Sequence, residues 1–123
     1  MKIGIFDSGI GGLTVFRQLM KKLPNNDYVY LGDTARLPYG IKSRKTVVEY
    51  SIKNTQFLIN KGCDLIVIAC NTASAFAYDI LRKKFNVPIF NVIDSGVFAV
   101  KDSGIQNIGV IATPSTIDSK TYT

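Results

Sequence analysis

Residues 64–85, DLIVIACNTASAFAYDILRKKF, decide the fold, because they contain a strand and a helix in direct succession. Residues 64–69 are apolar after the first position and do not alternate, which is typical of a strand with both faces covered. From Ala73 to about Phe85, apolar residues recur at helical spacing on one stripe: Ala73, Phe76, Ala77, Ile80, Leu81 and Phe85. A buried strand followed at once by an amphipathic helix is one unit of a parallel α/β sheet.

The same alternation continues on both sides of this unit. We predict further strands at residues 2–6, 28–31, 88–93 and 108–111, and helices at residues 12–23, from a Ser43 cap to about residue 60, near residues 96–102 and from residue 115 onward. The expected inward residues are Leu13, Phe16, Leu19, Met20 and Leu23 on the first helix, and Val48, Ile52, Thr55 and Ile59 on the second. This order predicts the α/β class, as an open, mostly parallel sheet with helices on both faces. The sequence ends inside a predicted helix, so we expect the fold to be incomplete.

The composition excludes several classes of function. Of the 123 residues 46% are hydrophobic, yet the longest apolar run, residues 65–70, is far shorter than the roughly 20 residues of a membrane-spanning helix. The first residues lack the apolar core of a signal peptide. With no histidine, the chain contains no Ser-His-Asp or Cys-His unit and no histidine-ligated metal. The net charge is +6, but the basic residues are scattered, so nucleic acid is not an expected partner.

The two cysteines, Cys63 and Cys70, lie at opposite ends of the predicted strand. A strand of this length separates their Cα atoms by on the order of 20 Å, against a disulfide limit of about 7 Å. They are therefore expected to remain unpaired, and two free thiols without a secretion signal indicate a reducing cytoplasm. Cys63 is interpreted as a structural residue.

Ligands of such sheets bind at the carboxyl ends of the strands. Five polar segments follow the predicted strands: residues 7–9 (DSG), 32–34 (GDT), 70–72 (CNT), 94–96 (DSG) and 113–116 (TPST). Any one of them could serve only as a helix cap, but five together favour a polar pocket. The glycines after Asp7 fit neither a dinucleotide fingerprint nor a P-loop. They suit a tight turn whose N–H groups accept a carboxylate.

Cys70 is the candidate for chemistry in this pocket. Its place before a helix predicts a pKa below the ordinary value of about 8.5, because backbone N–H groups and the helix dipole favour a thiolate. The alternative is a small buried apolar side chain at a strand end. The neighbouring Asn71 and Thr72, which supply donors and acceptors beside the thiol, favour a functional role.

Four segments resemble the bacterial glutamate racemases of the cofactor-independent aspartate/glutamate racemase family: IGIFDSGIGGLTV (3–15), YLGDTARLPYG (30–40), LIVIACNTASA (65–75) and IGVIAT (108–113). The resemblance implies interconversion of L- and D-glutamate for peptidoglycan synthesis, without cofactor or metal, in an enzyme that is often a homodimer. Two cysteines act on opposite faces of the substrate Cα. The resemblance assigns Cys70 as the first of them, and it assigns substrate binding to Asp7, Ser8, Tyr39, Gly40, Asn71 and Thr72.

The second cysteine of the family lies in a Gly-Cys-Thr-His-like segment of a second half, which this sequence does not contain. The resemblance divides the chain into residues 1–93, a first domain lacking its C-terminal completing segment, and residues 94–123, the start of a second domain. We therefore expect the isolated chain to be inactive, with the missing C-terminal half as its partner. Two alternatives stay open: a non-catalytic module that binds an amino acid or a partner chain, and a racemase of another acidic amino acid.

Overall fold

The computed structural model describes residues 1–122 and contains one four-stranded sheet in the order β2-β1-β3-β4. All three strand pairings are parallel, which confirms the predicted α/β class. A short 3-10 turn covers Tyr39–Ile41. The strands are β1 (Lys2–Asp7), β2 (Asp27–Gly32), β3 (Leu65–Ile68) and β4 (Ile89–Asn91), and the helices are α1 (Leu13–Lys22), α2 (Arg44–Asn60), α3 (Asn71–Lys84), α4 (Val92–Ser103) and α5 (Pro114–Asp118).

One face of the sheet is covered by two helices. Phe6, Ile66 and Ile68 point to this face and are fully buried against Leu58 of α2 and Leu81 of α3. Burying five large apolar side chains contributes roughly 1.5–3 kcal/mol for each of them. This layer is the main core, and it holds β1 and β3 in the centre of the sheet.

The other face carries α1 and is only partly covered. Ile3, Ile5 and Val67 pack against α1, yet none of the ten residues of α1, all of them described, is fully buried. The predicted inward residues Leu13 and Met20 are more than 40% exposed. Helices do lie on both faces, as predicted, but an apolar groove of about 670 Å³ stays open beside α1. We call it the α1 groove, and it is lined mainly by Ile3, Leu19, Leu23, Val67, Phe90 and Val92.

The α2 helix begins where predicted but turns a different stripe inward. The Ser43 hydroxyl accepts the N–H of Thr46 at 3.2 Å and so caps the helix. Its buried residues are Val47, Ser51, Asn54, Thr55 and Leu58, whereas the predicted Val48, Ile52 and Ile59 are only partly buried. The cause is polar, because the side-chain amide of Asn54 donates to the Tyr39 hydroxyl at 2.9 Å. Apolar periodicity does not detect such an interaction.

The predicted fifth strand at residues 108–111 is wrong. Ile108, Val110 and Ile111 are exposed and lie in a stretch without regular secondary structure. A strand needs a neighbour that satisfies its backbone groups, and none of the described residues after β4 forms one. β4 is also shorter than predicted, because the Asn91 side chain accepts the N–H of Asp94 at 2.9 Å and so starts α4 at once.

The segment after β4 packs back onto the first part of the chain. The predicted division between residues 93 and 94 falls inside α4, which runs unbroken from Val92 to Ser103. At the start of α5, the Ser115 hydroxyl donates to the Gly40 carbonyl at 2.5 Å. The last residue of the predicted second segment, Thr123, lies outside the described residues. Over residues 1–122, no helix is both long and apolar enough to cross a bilayer.

Candidate active site

The parallel register brings the carboxyl ends of the central strands to one edge of the sheet. Asp7 pairs with Gly32, and Phe6 pairs with Ile68. Beyond β3, the N–H of Ala69 still donates to the Phe6 carbonyl at 2.8 Å. The segments that follow these strands therefore meet, and with the start of α5 they enclose a cavity of about 620 Å³.

All seven residues predicted for the site line this cavity. Three segments supply them: Asp7 ends β1 and Ser8 follows it, Tyr39 and Gly40 belong to the 3-10 turn, and Cys70 caps α3, which begins with Asn71 and Thr72. Of the five polar segments predicted to follow strands, two do not line the cavity: residues 32–34, after β2, and residues 94–96, which lie within α4. Parallel pairing of β1 and β3 brings the segments that follow these two strands together, although they are far apart in the sequence.

Cys70 lies at the floor of the cavity and caps α3. Its Sγ accepts the N–H of Ala73 at 3.4 Å, and its thiol lies 3.7 Å from the Ser8 hydroxyl. The side chain is only 5% exposed, yet it borders the same opening as Asp7. The thiol is therefore sheltered from bulk water but accessible from the cavity.

The Asp7 carboxylate organises the turn after β1. Its Oδ2 accepts the N–H groups of Gly9 and Gly12, both at 3.1 Å. A Cβ on Gly12 would lie 2.7 Å from the Cβ of Asp7, so only glycine fits there without displacement. The Tyr30 hydroxyl donates to the Gly9 carbonyl at 3.0 Å. This turn is thus fixed on both sides, and the carboxylate stays directed toward the cavity.

Thr72 belongs to a cluster of three hydroxyls at the cavity wall. Its Oγ1 lies 3.2 Å from that of Thr113 and 3.4 Å from that of Thr116. Asn71 is exposed and accepts the Tyr122 hydroxyl at 2.8 Å. Thr113 lines the cavity although it is not among the predicted site residues. The available signal was its position at the polar helix entry of residues 113–116.

Comparison with known proteins identifies the family. The model of the Asp/Glu/Hydantoin racemase family matches residues 11–123. The chain belongs to this family. The glutamate racemase of Aquifex pyrophilus is 55% identical over 123 residues, which cover 99% of this racemase-family chain and 48% of that protein. The glutamate racemase of Aquifex aeolicus is 54% identical with the same coverage.

Solved structures of glutamate racemases agree with this racemase-family fold. The Aquifex pyrophilus structure matches with a TM-score of 0.96 and 53% identity, over 99% of this chain and 49% of that one. The Francisella tularensis glutamate racemase in complex with D-glutamate matches with a TM-score of 0.90 and 48% identity, over 98% and 46%. The resemblance seen in the sequence is confirmed. The chain spans about half the length of the curated relatives it matches.

The pKa of Cys70 in this racemase-family chain moves in the direction opposite to the prediction. Burial raises the pKa of the thiol above 9.0, the N–H of Ala73 and the contact with Ser8 lower it, and the charge of Asp7 raises it again. The helix start acts in the predicted direction, but desolvation outweighs it. A thiolate at this position therefore needs a further positive charge nearby.

Proposed function

We propose that the complete protein interconverts L- and D-glutamate by proton transfer at the amino-acid Cα, with Cys70 as one of two acid–base residues. The observation that carries the proposal is the cavity itself, where a sheltered thiol, a carboxylate and several hydroxyl and main-chain groups converge. Its relatives are named glutamate racemases. D-glutamate would then serve peptidoglycan synthesis.

In this mechanism the Cys70 thiolate removes the α-proton, and the bonding pair stays on the substrate as a carbanion-like centre. A second thiol, from the missing half, delivers a proton to the opposite face. Inversion at carbon requires two acid–base groups facing each other across it. The reverse reaction exchanges the roles of the two thiols. Fixed N–H and O–H donors around the substrate carboxylate stabilise the charge that develops.

The remaining predicted residues bind and orient the substrate. Asp7 attracts the substrate ammonium, and Ser8 and Thr72 offer hydroxyl donors to a carboxylate. Tyr39 and Gly40 contribute a further part of the cavity wall. A bound ammonium also offsets the Asp7 charge, which is one of the causes that raise the pKa of Cys70. Substrate binding thereby favours the thiolate that the reaction needs.

The missing half completes both the fold and the site. We propose that residues 1–93 form most of a first domain, that residues 94–123 begin a second, and that a later segment covers the α1 groove. The groove supports this proposal, because Phe90 within it is 54% exposed. Among the residues described, Cys70 is the only thiol at the cavity. Hydrogen exchange at α1 should slow when the other half is joined to the chain.

The proposal is tested by α-proton exchange in deuterated water. We would compare the 123-residue chain with a fusion protein in which residues 1–123 precede the remaining half of the Aquifex pyrophilus racemase, and use the intact Aquifex enzyme as positive control. Deuterium should enter glutamate with the fusion protein and not with the chain alone. Racemisation by the chain alone contradicts the need for a second half. A folded fusion protein that exchanges no α-proton contradicts the proposed activity.

A binding module without chemistry is the second candidate, and the single thiol at the described cavity favours it. Calorimetry of the chain with L- and D-glutamate separates the two. Binding that Cys70→Ser leaves unchanged, together with no exchange by the fusion protein, supports the module. A panel of acidic amino acids on the fusion protein decides whether glutamate or another substrate is preferred.

The two thiols indicate the cellular compartment of the proposed enzyme. Cys63 and Cys70 are both free, which suits a reducing cytoplasm. We also propose that the complete protein forms a homodimer. Sedimentation of the fusion protein at several concentrations tests this, and a single monomeric species at all of them contradicts it.

A further inference from the structure

Four polar side chains form a closed ring behind the 3-10 turn. The Tyr39 hydroxyl donates to the Asp33 carboxylate, which also accepts the Nε–H of Arg36 at 2.9 Å. The Asn54 amide donates to the Tyr39 hydroxyl at 2.9 Å, and its oxygen accepts from Arg36 at 3.1 Å. Each side chain contacts two others, so this closed set of hydrogen bonds joins the loop after β2 to the middle of α2. We call it the Tyr39 network.

Three members of the Tyr39 network are buried, and the fourth, Arg36, is partly exposed. Tyr39 is 1% exposed, Asn54 is 2% exposed and Asp33 is 7% exposed. Burial and the Asp33 carboxylate raise the pKa of Tyr39, so its hydroxyl stays protonated and keeps donating. The guanidinium of Arg36 covers the ring of Tyr50 at 4.3 Å. A buried network with every partner satisfied holds its members in one arrangement.

This arrangement gives the two ends of Tyr39 different tasks. The hydroxyl faces Asp33 and Asn54 and has no free capacity for a ligand, while the residue still borders the cavity together with Gly40. Gly40 is held by a separate hydrogen bond, because its carbonyl accepts the Ser115 hydroxyl at 2.5 Å. The position of this cavity wall is therefore set by groups that do not themselves reach the substrate.

We propose that Asp33, Arg36 and Asn54 are positioning residues, which act through the Tyr39 hydroxyl to place the Tyr39–Gly40 main chain against the substrate. The inference rests on the proposed function. Cys70 lies on a different segment, at the start of α3, and makes none of the hydrogen bonds of the Tyr39 network. Loosening the wall weakens ground state and transition state equally, so it raises KM and leaves kcat nearly unchanged.

The test compares Tyr39→Phe with Tyr50→Phe in the fusion protein. Tyr39→Phe keeps the aromatic ring and removes only the hydroxyl of the network. We expect KM to rise about fivefold or more with kcat within about twofold of the parent. Tyr50→Phe removes a neighbouring hydroxyl that does not belong to the Tyr39 network, and it should change neither KM nor kcat. Arg36→Lys keeps the charge of this partly exposed side chain but not the planar guanidinium, and it should also raise KM, by less.

Two kinetic results overturn the inference. One is an unchanged KM in Tyr39→Phe; the other is a fall in kcat alone, which indicates loss of an interaction made only in the transition state. Hydrogen exchange of the backbone amides of residues 40–42 supplies a readout that does not depend on turnover. These amides should exchange faster in Tyr39→Phe than in Tyr50→Phe. If the folded parent fusion protein is inactive, the proposed function fails, and equal exchange in the two variants independently rejects the positioning role.

Discussion

The two cysteines differ in surroundings although they flank the same strand and are almost equally buried. Cys63 precedes β3 and is 4% exposed, and Cys70 follows it and is 5% exposed. Cys63 packs against β1, where its Sγ would lie 3.0 Å from a Cβ on Gly4. Cys70 borders the cavity with Asp7. Burial alone thus does not distinguish the two thiols, whereas their positions at opposite ends of the sheet do, because only Cys70 lines the cavity.

The largest expected difference between the two ends is in catalysis. Cys70→Ser in the fusion protein should lower kcat by about 10²- to 10⁴-fold, because it removes an acid–base group. Serine still accepts the N–H of Ala73, so the cap of α3 remains. Cys63→Ser is the matched control and should leave kcat within about twofold of the parent. Equal losses in both variants, measured by racemisation, would remove the distinction.

Two glycines, one next to the cavity and one away from it, should differ in how their substitution changes the free energy of unfolding. Gly12→Ala should lower the free energy of unfolding by about 1–3 kcal/mol, since the new Cβ would lie 2.7 Å from that of Asp7 and 2.9 Å from that of Ala69. Gly96 lies within α4, away from the cavity, and no described atom is within 4 Å of its missing Cβ. Gly96→Ala should raise stability by up to about 1 kcal/mol. Urea unfolding of the chain measures both, and a neutral Gly12→Ala contradicts the tight packing.

Alkaline pH should destabilise the chain in part through groups at the cavity end of the sheet. Burial raises the pKa of Cys70 above 9.0, and burial with the nearby Asp7 charge raises that of Tyr30 from 10.0 to about 12. The folded chain therefore holds these protons more tightly than the unfolded chain. The contribution of these two groups to stability is fully present below their unfolded-state pKa values and is lost as the pH rises through the higher folded-state values. Tyr30→Phe should flatten the loss between pH 10 and 12 in unfolding measurements; an unaltered profile would contradict this assignment.

The smallest expected effects are two separate shifts in the pKa values of the thiols, one at each cysteine. The Asp7 charge raises the pKa of Cys70, and the Asp64 charge raises that of Cys63. Asp7→Asn should therefore lower the alkylation midpoint of Cys70 only, and Asp64→Asn that of Cys63 only. Iodoacetamide labelling against pH, followed by mass spectrometry, reads both sites in one sample. A shift of both thiols by either variant would show that the two ends are coupled.

The sequence predicts most of the site because its residues follow strands. Asp7 ends β1, Cys70 follows β3 by two residues, and their neighbours Ser8, Asn71 and Thr72 lie at the same cavity. Parallel pairing then brings these segments together whatever their separation in the chain. Tyr39 was predicted from its motif, but the direction of its hydroxyl was not, because that depends on the distant Asn54.

The errors share a physical origin in contacts between distant residues. Asn54 is buried by a hydrogen bond, which a pattern of apolar residues cannot reveal. The segment at residues 108–111 has the composition of a strand, but a strand also requires a partner. The pKa of Cys70 follows the depth of the thiol, and depth is a property of the assembled cavity. Each of these quantities exists only once the chain has folded.

The open α1 groove has a consequence for the biogenesis of the protein. Apolar surface of this kind attracts other exposed apolar segments, so partly assembled chains are prone to aggregation. If a later segment covers the groove, as we propose, the groove stays in contact with water until that segment has been translated. Exposed apolar surface of this kind is what chaperones bind.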